Sequence, residues 1–143
     1  SAINRFNTDL LLREIIRRLP EGPPYFPEDQ LTDRYERFFV TEIIRGKIFE
    51  TYQKEIPYSV EVEIESYTEE PEINRIAAII YVARDSQKGI IIGHRGAMLK
   101  KVGTAARKDM EEFLGKKVFL ELYVKVAHEW RDNPRMLKKF GYL

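Results

Sequence analysis

The sequence predicts an α+β fold in which three strands are interspersed with helices, and three observations predict it. Two segments alternate apolar and polar residues at period two, SVEVEIE (59–65) and KVFLELYVKV (117–126), and a third, INRIAAIIYVAR (73–84), is dense in Ile and Val. Three other segments repeat apolar residues at three- and four-residue steps, as amphipathic helices do. Between the second and third strands stands a glycine-bounded turn, GIIIGHRGAM (89–98), with a short helix before it and a long one after. At 143 residues, 43% of them hydrophobic, the chain suits one domain, or one domain with a remnant of another.

The first helix is TDLLLREIIRRL (8–19), with Thr8 or Asp9 as cap and Leu11, Leu12, Ile15, Ile16 and Leu19 as one apolar stripe. Pro20 ends it, and EGPPYFPEDQ reads as an extended linker because three prolines and a glycine cannot continue a helix. Thr32 or Asp33 caps a second helix reaching about Tyr52, with Tyr35, Phe38, Phe39, Ile43, Ile44 and Ile48 inward. In the first strand Val60, Val62 and Ile64 face inward while Glu61, Glu63 and Glu65 face water. TEEPE turns the chain into the second strand. The long helix AMLKKVGTAARKDMEEFL packs through Leu99, Val102, Ala106, Met110 and Phe113, and Gly115 stops it. The last strand turns Val118, Leu120, Leu122, Val124 and Val126 inward, and a short basic helix from about Pro134 to Phe140 closes the chain.

The absence of cysteine removes disulfides and cysteine-based metal sites or nucleophiles. Two histidines, His94 and His128, are too few for a histidine zinc cluster. No apolar run reaches the length of a membrane span and no secretory signal is visible, so a cytoplasmic, reducing setting fits. The net charge of +1 is unevenly spread. From Glu55 to Glu72 every charged residue is an acid; from Arg84 to Lys108 there are seven bases and Asp85 alone. A basic side of this kind suits a polyanion.

The glycine turn is not a nucleotide loop. A P-loop needs Lys-Ser or Lys-Thr after its last glycine, and here Ala97 and Met98 follow Gly96. The steps of four and three between Gly89, Gly93 and Gly96 do not match a dinucleotide fingerprint either. A sugar-phosphate strand fits better. Gly93 and Gly96 leave the backbone bare for close approach, and the helix beginning near Ala97 aims its positive end at the same place. His94 and Arg95 stand at the tip, with Lys100 and Lys101 one turn on. One or two of Ile90, Ile91 and Ile92 floor a groove for bases. Nothing here supplies a nucleophile or a general base, so the arrangement binds a strand without cutting it.

The turn and its flanking elements resemble a KH domain of type II order, whose GXXG loop clamps about four single-stranded nucleotides. More narrowly, the chain resembles the C-terminal region of the Era family of bacterial GTPases of small-subunit assembly. The stretches that carry this are YFPEDQLTDRYERFFVTEIIR (25–45), EIPYSVEVEIE (55–65), GIIIGHRGAMLKKVGTAARKDME (89–111), VFLELYVKV (118–126), Trp130 and LKKFGY (137–142). The resemblance implies a helix-strand-strand-helix-helix-strand domain over residues 33–127, its small three-stranded sheet packed by helices on one face. It makes residues 1–20 the last helix of a GTPase domain, 21–32 a Pro-rich linker and 128–143 a C-terminal helical extension. GTP and Mg belong to the GTPase domain, whose P-loop and guanine-reading motifs are not in this sequence, so no cofactor is expected for this chain and no GTP hydrolysis by it. The partners implied are single-stranded RNA at the 3′ end of 16S rRNA, the 30S subunit, the GTPase domain of the same protein and peripheral contact with the inner membrane. The RNA site implied is Gly93, His94, Arg95 and Gly96 for the backbone, Ile91 and Ile92 with the strand ending near Arg84 for bases, and Lys88, Gly89, Lys100 and Lys101 around them. In the loop His94-Arg95 replaces the Asn-Lys or Ala-Lys type pair of many relatives, and His94 adds a modest pH dependence. The alternative reading is a KH-fold protein-interaction or membrane-surface module without base-specific binding.

Overall fold

A computed structural model of the chain describes residues 3–23 and 36–142. The chain divides into two compact units at residues 33/34. In the first, helix α1 spans Thr8–Arg18. Thr8 and Asp9, expected to cap it, lie inside it; the cap position is Asn7, in the left-handed region at φ 61°, and Thr8 Oγ1 donates to the Arg5 carbonyl at 2.9 Å. Asparagine tolerates that conformation better than most residues, which is why it precedes the helix. The stripe Leu11, Leu12, Ile15, Ile16 and Leu19 is exposed within this unit. The expected second-helix caps Thr32 and Asp33, and Tyr35, lie outside the described residues.

The second unit is a three-stranded sheet with helices over one face. Helix α2 (Glu36–Thr51) is followed by a one-turn helix α3 (Ile56–Ser59), strand β1 (Glu61–Glu69), strand β2 (Ile73–Val82), helix α4 (Asp85–Ile92), helix α5 (Ala97–Leu114), strand β3 (Lys117–Val126) and helix α6 (Pro134–Lys139). The strand order is β1-β2-β3, with β1 antiparallel and β3 parallel to the central β2. Parallel pairing requires a crossover, and the helix–turn–helix of α4 and α5 supplies it. This is why the glycine turn sits at one end of the sheet rather than inside it.

The core lies between α2, α4 and α5 on one side and the sheet on the other. Val40, Ile44 and Ile48 of α2, Ile91 of α4, Val102, Ala106 and Met110 of α5, and Ile76, Ala78, Ile80 and Val82 of β2 are fully or almost fully buried. Burial of each large aliphatic side chain contributes about 1.5–3 kcal/mol. Phe38 and Phe113, read as inward, are 43% and 49% exposed, whereas Val40 is at the centre. The i, i+4, i+8 row of Val40, Ile44 and Ile48 is the true seam of α2. Lys47 Nζ bridges α2 to Asp109 Oδ2 of α5 at 2.7 Å.

The first strand departs from its predicted wet face. Glu61 is only 4% exposed; its carboxylate takes Arg45 Nη2 at 2.7 Å and the Tyr142 hydroxyl at 2.6 Å. Glu63 is held by Lys139 Nζ at 2.7 Å, and Lys139 also donates to the Tyr81 hydroxyl at 3.1 Å. The Phe140 ring rests on Tyr81, at 5.2 Å between centroids. The C-terminal segment therefore covers the glutamate face at its Glu61 end. Alternation also breaks at a register shift between Ile64 and Ser66. Among the described residues no cluster of His, Cys, Asp or Glu is arranged to hold a metal ion.

Candidate nucleic-acid interface

The loop between α4 and α5 is built from glycines for two different reasons. Gly93 has φ 71° and ψ 179°, a region that essentially only glycine enters. A β-carbon there would meet the Met98 side chain at 2.5 Å. Gly96, at φ 78° and ψ 8°, is left-handed too, but its missing β-carbon would point into open space. Close approach of an outside backbone is therefore available over Gly96, while over Gly93 the space belongs to Met98. Between them Arg95 also takes the left-handed conformation, at φ 50° and ψ 30°. The Gly93 N–H closes α4 on the Gly89 carbonyl at 2.9 Å, and the Gly96 N–H closes the turn on the Gly93 carbonyl at 3.2 Å. His94 and Arg95 are held outward and exposed at its tip, and no side chain caps the start of α5.

An open groove of about 360 Å³ begins at Gly96 and runs between α5 and β3. Leu99, Leu120 and Leu122 give it an apolar lining, Gly103 a bare patch of helix, and Lys100, Thr104 and Arg107 a polar rim. Gly103 is where the wall is thinnest: a β-carbon there would lie 3.3 Å from Leu122 Cδ1. At the far end Arg107 Nη1 is tied to Glu111 Oε1 at 3.0 Å, and the same oxygen accepts the Val118 N–H at 3.1 Å. That N–H, helped by the Arg107 charge, holds the Glu111 carboxyl below the usual carboxylate range.

The groove has a second polar wall. The Ala127 N–H donates to the Val82 carbonyl at 2.8 Å, which sets the phase of β3. Odd-numbered residues turn their backbone groups toward β2, and even-numbered ones, Leu120 and Leu122 among them, toward the unpaired edge. Leucine side chains and backbone donors and acceptors thus line one groove together.

Site residues read from the sequence fall into three groups. Gly96 and Lys100 line the groove, Gly93, His94 and Arg95 precede Gly96 in the same loop, and Lys101 stands beside Lys100 on the exposed side of α5 with Ala97, Thr104 and Lys108. Arg84 does not join them. It is the first-cap residue of α4, at the end opposite the loop, about 12 Å away along the eight-residue helix, and it borders a separate hollow with His128 and Arg131. Lys88 and Gly89 lie on α4 between the two. Ile91, expected to floor a groove for bases, is 0% exposed and part of the core. Ile92 is partly buried against the same core, and Ile90 is the exposed one, at 50%. The strand ending near Arg84 is β2, the central strand, which has no free edge to offer. The residues missed are Leu99, Gly103, Thr104, Arg107, Leu120 and Leu122. Gly103, a glycine inside a helix with no turn to serve, was the signal for them.

The electrostatics agree with the geometry. Arg84, Lys88, Arg95, Lys100 and Lys101 enter no ion pair among the described residues, whereas Arg45, Lys47, Arg75, Arg107, Lys125 and Lys139 all do. Of the unpaired cations, Lys100 lines the groove and Arg95 stands in the loop beside Gly96, with Lys101 next to Lys100, whereas Arg84 is at the far end of α4.

A three-stranded sheet whose parallel pair is joined by helix, GXXG loop and helix, with an order beginning helix-strand-strand, is the type II KH architecture. The sequence pattern of the KH domain family matches residues 55–131, and the chain belongs to that family. Within it, the chain is similar to the GTPase Era of Geotalea daltonii, 53% identical over 143 residues, covering 99% of this chain and 48% of that protein. Two solved structures, each 41% identical with a TM-score of 0.89, cover 95% of this chain and 46% of theirs. One is Aquifex aeolicus Era bound to GDP and AlF4⁻; the other is Era in complex with MgGDPNP and nucleotides 1506–1542 of 16S ribosomal RNA. The chain spans about half the length of the relatives it matches.

Proposed function

We propose that this chain is the single-stranded RNA-binding part of an Era-like ribosome-assembly GTPase, gripping the 3′ end of 16S rRNA through the 93–96 loop during 30S maturation. The observation that carries the reading is the continuity of loop and groove. An outward, unpaired His94-Arg95 tip opens at Gly96 directly into a slot with leucines, free backbone groups and Lys100 on its sides. Phosphates belong at the tip and over Gly96, and unstacked bases in the slot. The solved Era complex with 16S rRNA supports the choice of strand.

On this reading residues 1–20 are the last helix of a GTPase domain, 21–32 a linker, 33–127 the KH domain and 128–143 its extension. The exposed stripe of α1 is the face that domain would cover. GTP and Mg belong to that domain; the KH unit binds without catalysis, in the cytoplasm, where its RNA is.

The test is a titration with a short single strand from the 16S 3′ end, a scrambled strand and a duplex. Tightest binding to the first is expected. Equal affinity for all three removes base reading and leaves the interaction-module alternative.

A further inference from the structure

Tyr52 does not line the groove, yet it touches the helix that leads into the loop. It is the first residue beyond α2, 6% exposed, with its N–H still bonded to the Ile48 carbonyl at 3.0 Å. Its hydroxyl donates to the Ile91 carbonyl at 2.6 Å, a bond buried in the core and spanning 39 positions in sequence. Ile91 is the penultimate residue of α4, two before Gly93. At a helix end the last carbonyls have no partner within the helix. The Gly93 N–H takes the Gly89 carbonyl, and the chain then swings away at Gly93, so no following amide reaches Ile91 from within α4. Because Ile91 is completely buried, water does not reach it either.

We propose that Tyr52 is the positioning residue of the phosphate loop: its hydroxyl fixes the last turn of α4, and so the direction in which Gly93 launches the 93–96 clamp. The proposal rests on the RNA-binding reading above. Three of the four loop residues hold positive φ, and such a loop keeps one geometry only when its two ends are pinned. Met98 pins the α5 end through Gly93, and Tyr52 pins the α4 end from just beyond the end of α2. Burial pushes the Tyr52 hydroxyl up to about 12, so it stays a donor throughout the physiological range.

Tyr52→Phe keeps the ring and its packing and removes only the donor. Tyr142→Phe is the control: it removes a hydroxyl of similar hydrogen-bond length, from Glu61, at the opposite edge of the sheet from the groove. The 143-residue chain and both variants are compared well below their melting temperatures. Affinity for the 16S 3′-end strand is measured by titration, and the glycine amide resonances by NMR. Tyr52→Phe is expected to weaken binding roughly tenfold, the equivalent of one buried hydrogen bond, and to shift or broaden Gly93 and Gly96 but not Gly115. Tyr142→Phe is expected to lower the melting temperature with affinity unchanged. A Tyr52→Phe variant that melts earlier but binds equally, with loop glycines in place, assigns Tyr52 to the core alone and overturns the proposal. Should the parent chain not bind the strand, the RNA reading fails, and the glycine resonances still decide the positioning role.

Discussion

Gly93 and Met98 share a single volume: a β-carbon on the first would stand 2.5 Å from Cγ, 2.8 Å from Cβ and 3.1 Å from the backbone N of the second. Two of those atoms are close to the main chain and cannot swing aside. Gly96, three residues on, has the same sign of φ and no neighbour in the way. Gly93→Ala should therefore cost about 3 kcal/mol or more, from a glycine-only conformation plus overpacking. Gly96→Ala should cost about 1–2 kcal/mol, the left-handed penalty alone. Urea unfolding of the two variants checks the order, and equal losses would mean that Met98 yields.

Gly103 makes the opposite case, because its β-carbon would press on the tip of a side chain that borders an open groove. Leu122 Cδ1, 3.3 Å from that position, has room to move, and the room lies in the groove. Replacing a mid-helix glycine by alanine stabilises a helix by about 1 kcal/mol. Gly103→Ala should thus raise the melting temperature and lower RNA affinity in the same protein. A variant that gains stability and binds as before would show that bases do not enter between α5 and β3.

The element order, the helix–turn–helix between the second and third strands and the basic run were legible in the sequence, because periodicity and charge runs are local; the parallel pairing of those strands was not. The groove was not. Ile90, Ile91 and Ile92 look alike as a run, but 100° of helical rotation per residue sends one to the core and one to water, and only the packing of α4 decides which. Leu120 and Leu122 were read as inward, correctly, but their partial exposure depends on Gly103 lying across from them, a long-range relation. Glu61 was read as solvated for the same reason: Arg45 and Tyr142, which take its carboxylate, are 16 and 81 positions away.

Salt should separate the working cations from the others. Arg95 and Lys100 have no carboxylate partner among the described residues, while Lys125, on the far face of β3, is paired with Glu65 at 3.5 Å. Each phosphate contact to a single strand contributes about 0.7 to the slope of log affinity against log salt. Arg95→Ala and Lys100→Ala should each reduce the slope by about that amount, and Lys125→Ala should leave it unchanged. A slope that drops equally for all three would mean a diffuse field rather than a site at the loop.

Glu111 links the groove to acid stability. Its carboxyl is held low in the folded chain, first by the Val118 N–H and then by Arg107. A carboxyl with a depressed folded value contributes stability that is fully present above its unfolded value, and loses it as the pH falls through the folded one. Glu111→Gln keeps the shape and an acceptor for Val118 but removes the charge that holds Arg107. The variant should therefore unfold at lower urea than the parent at about pH 7, and the gap should narrow below about pH 4 as the parent's own carboxyl takes up a proton. RNA affinity at neutral pH should fall as well, since Arg107 is then free to leave the end of the groove. Urea midpoints across that pH range, with titrations at the neutral end, check both halves. A gap that stays constant to about pH 2 would show that the carboxylate charge is not what fixes Arg107.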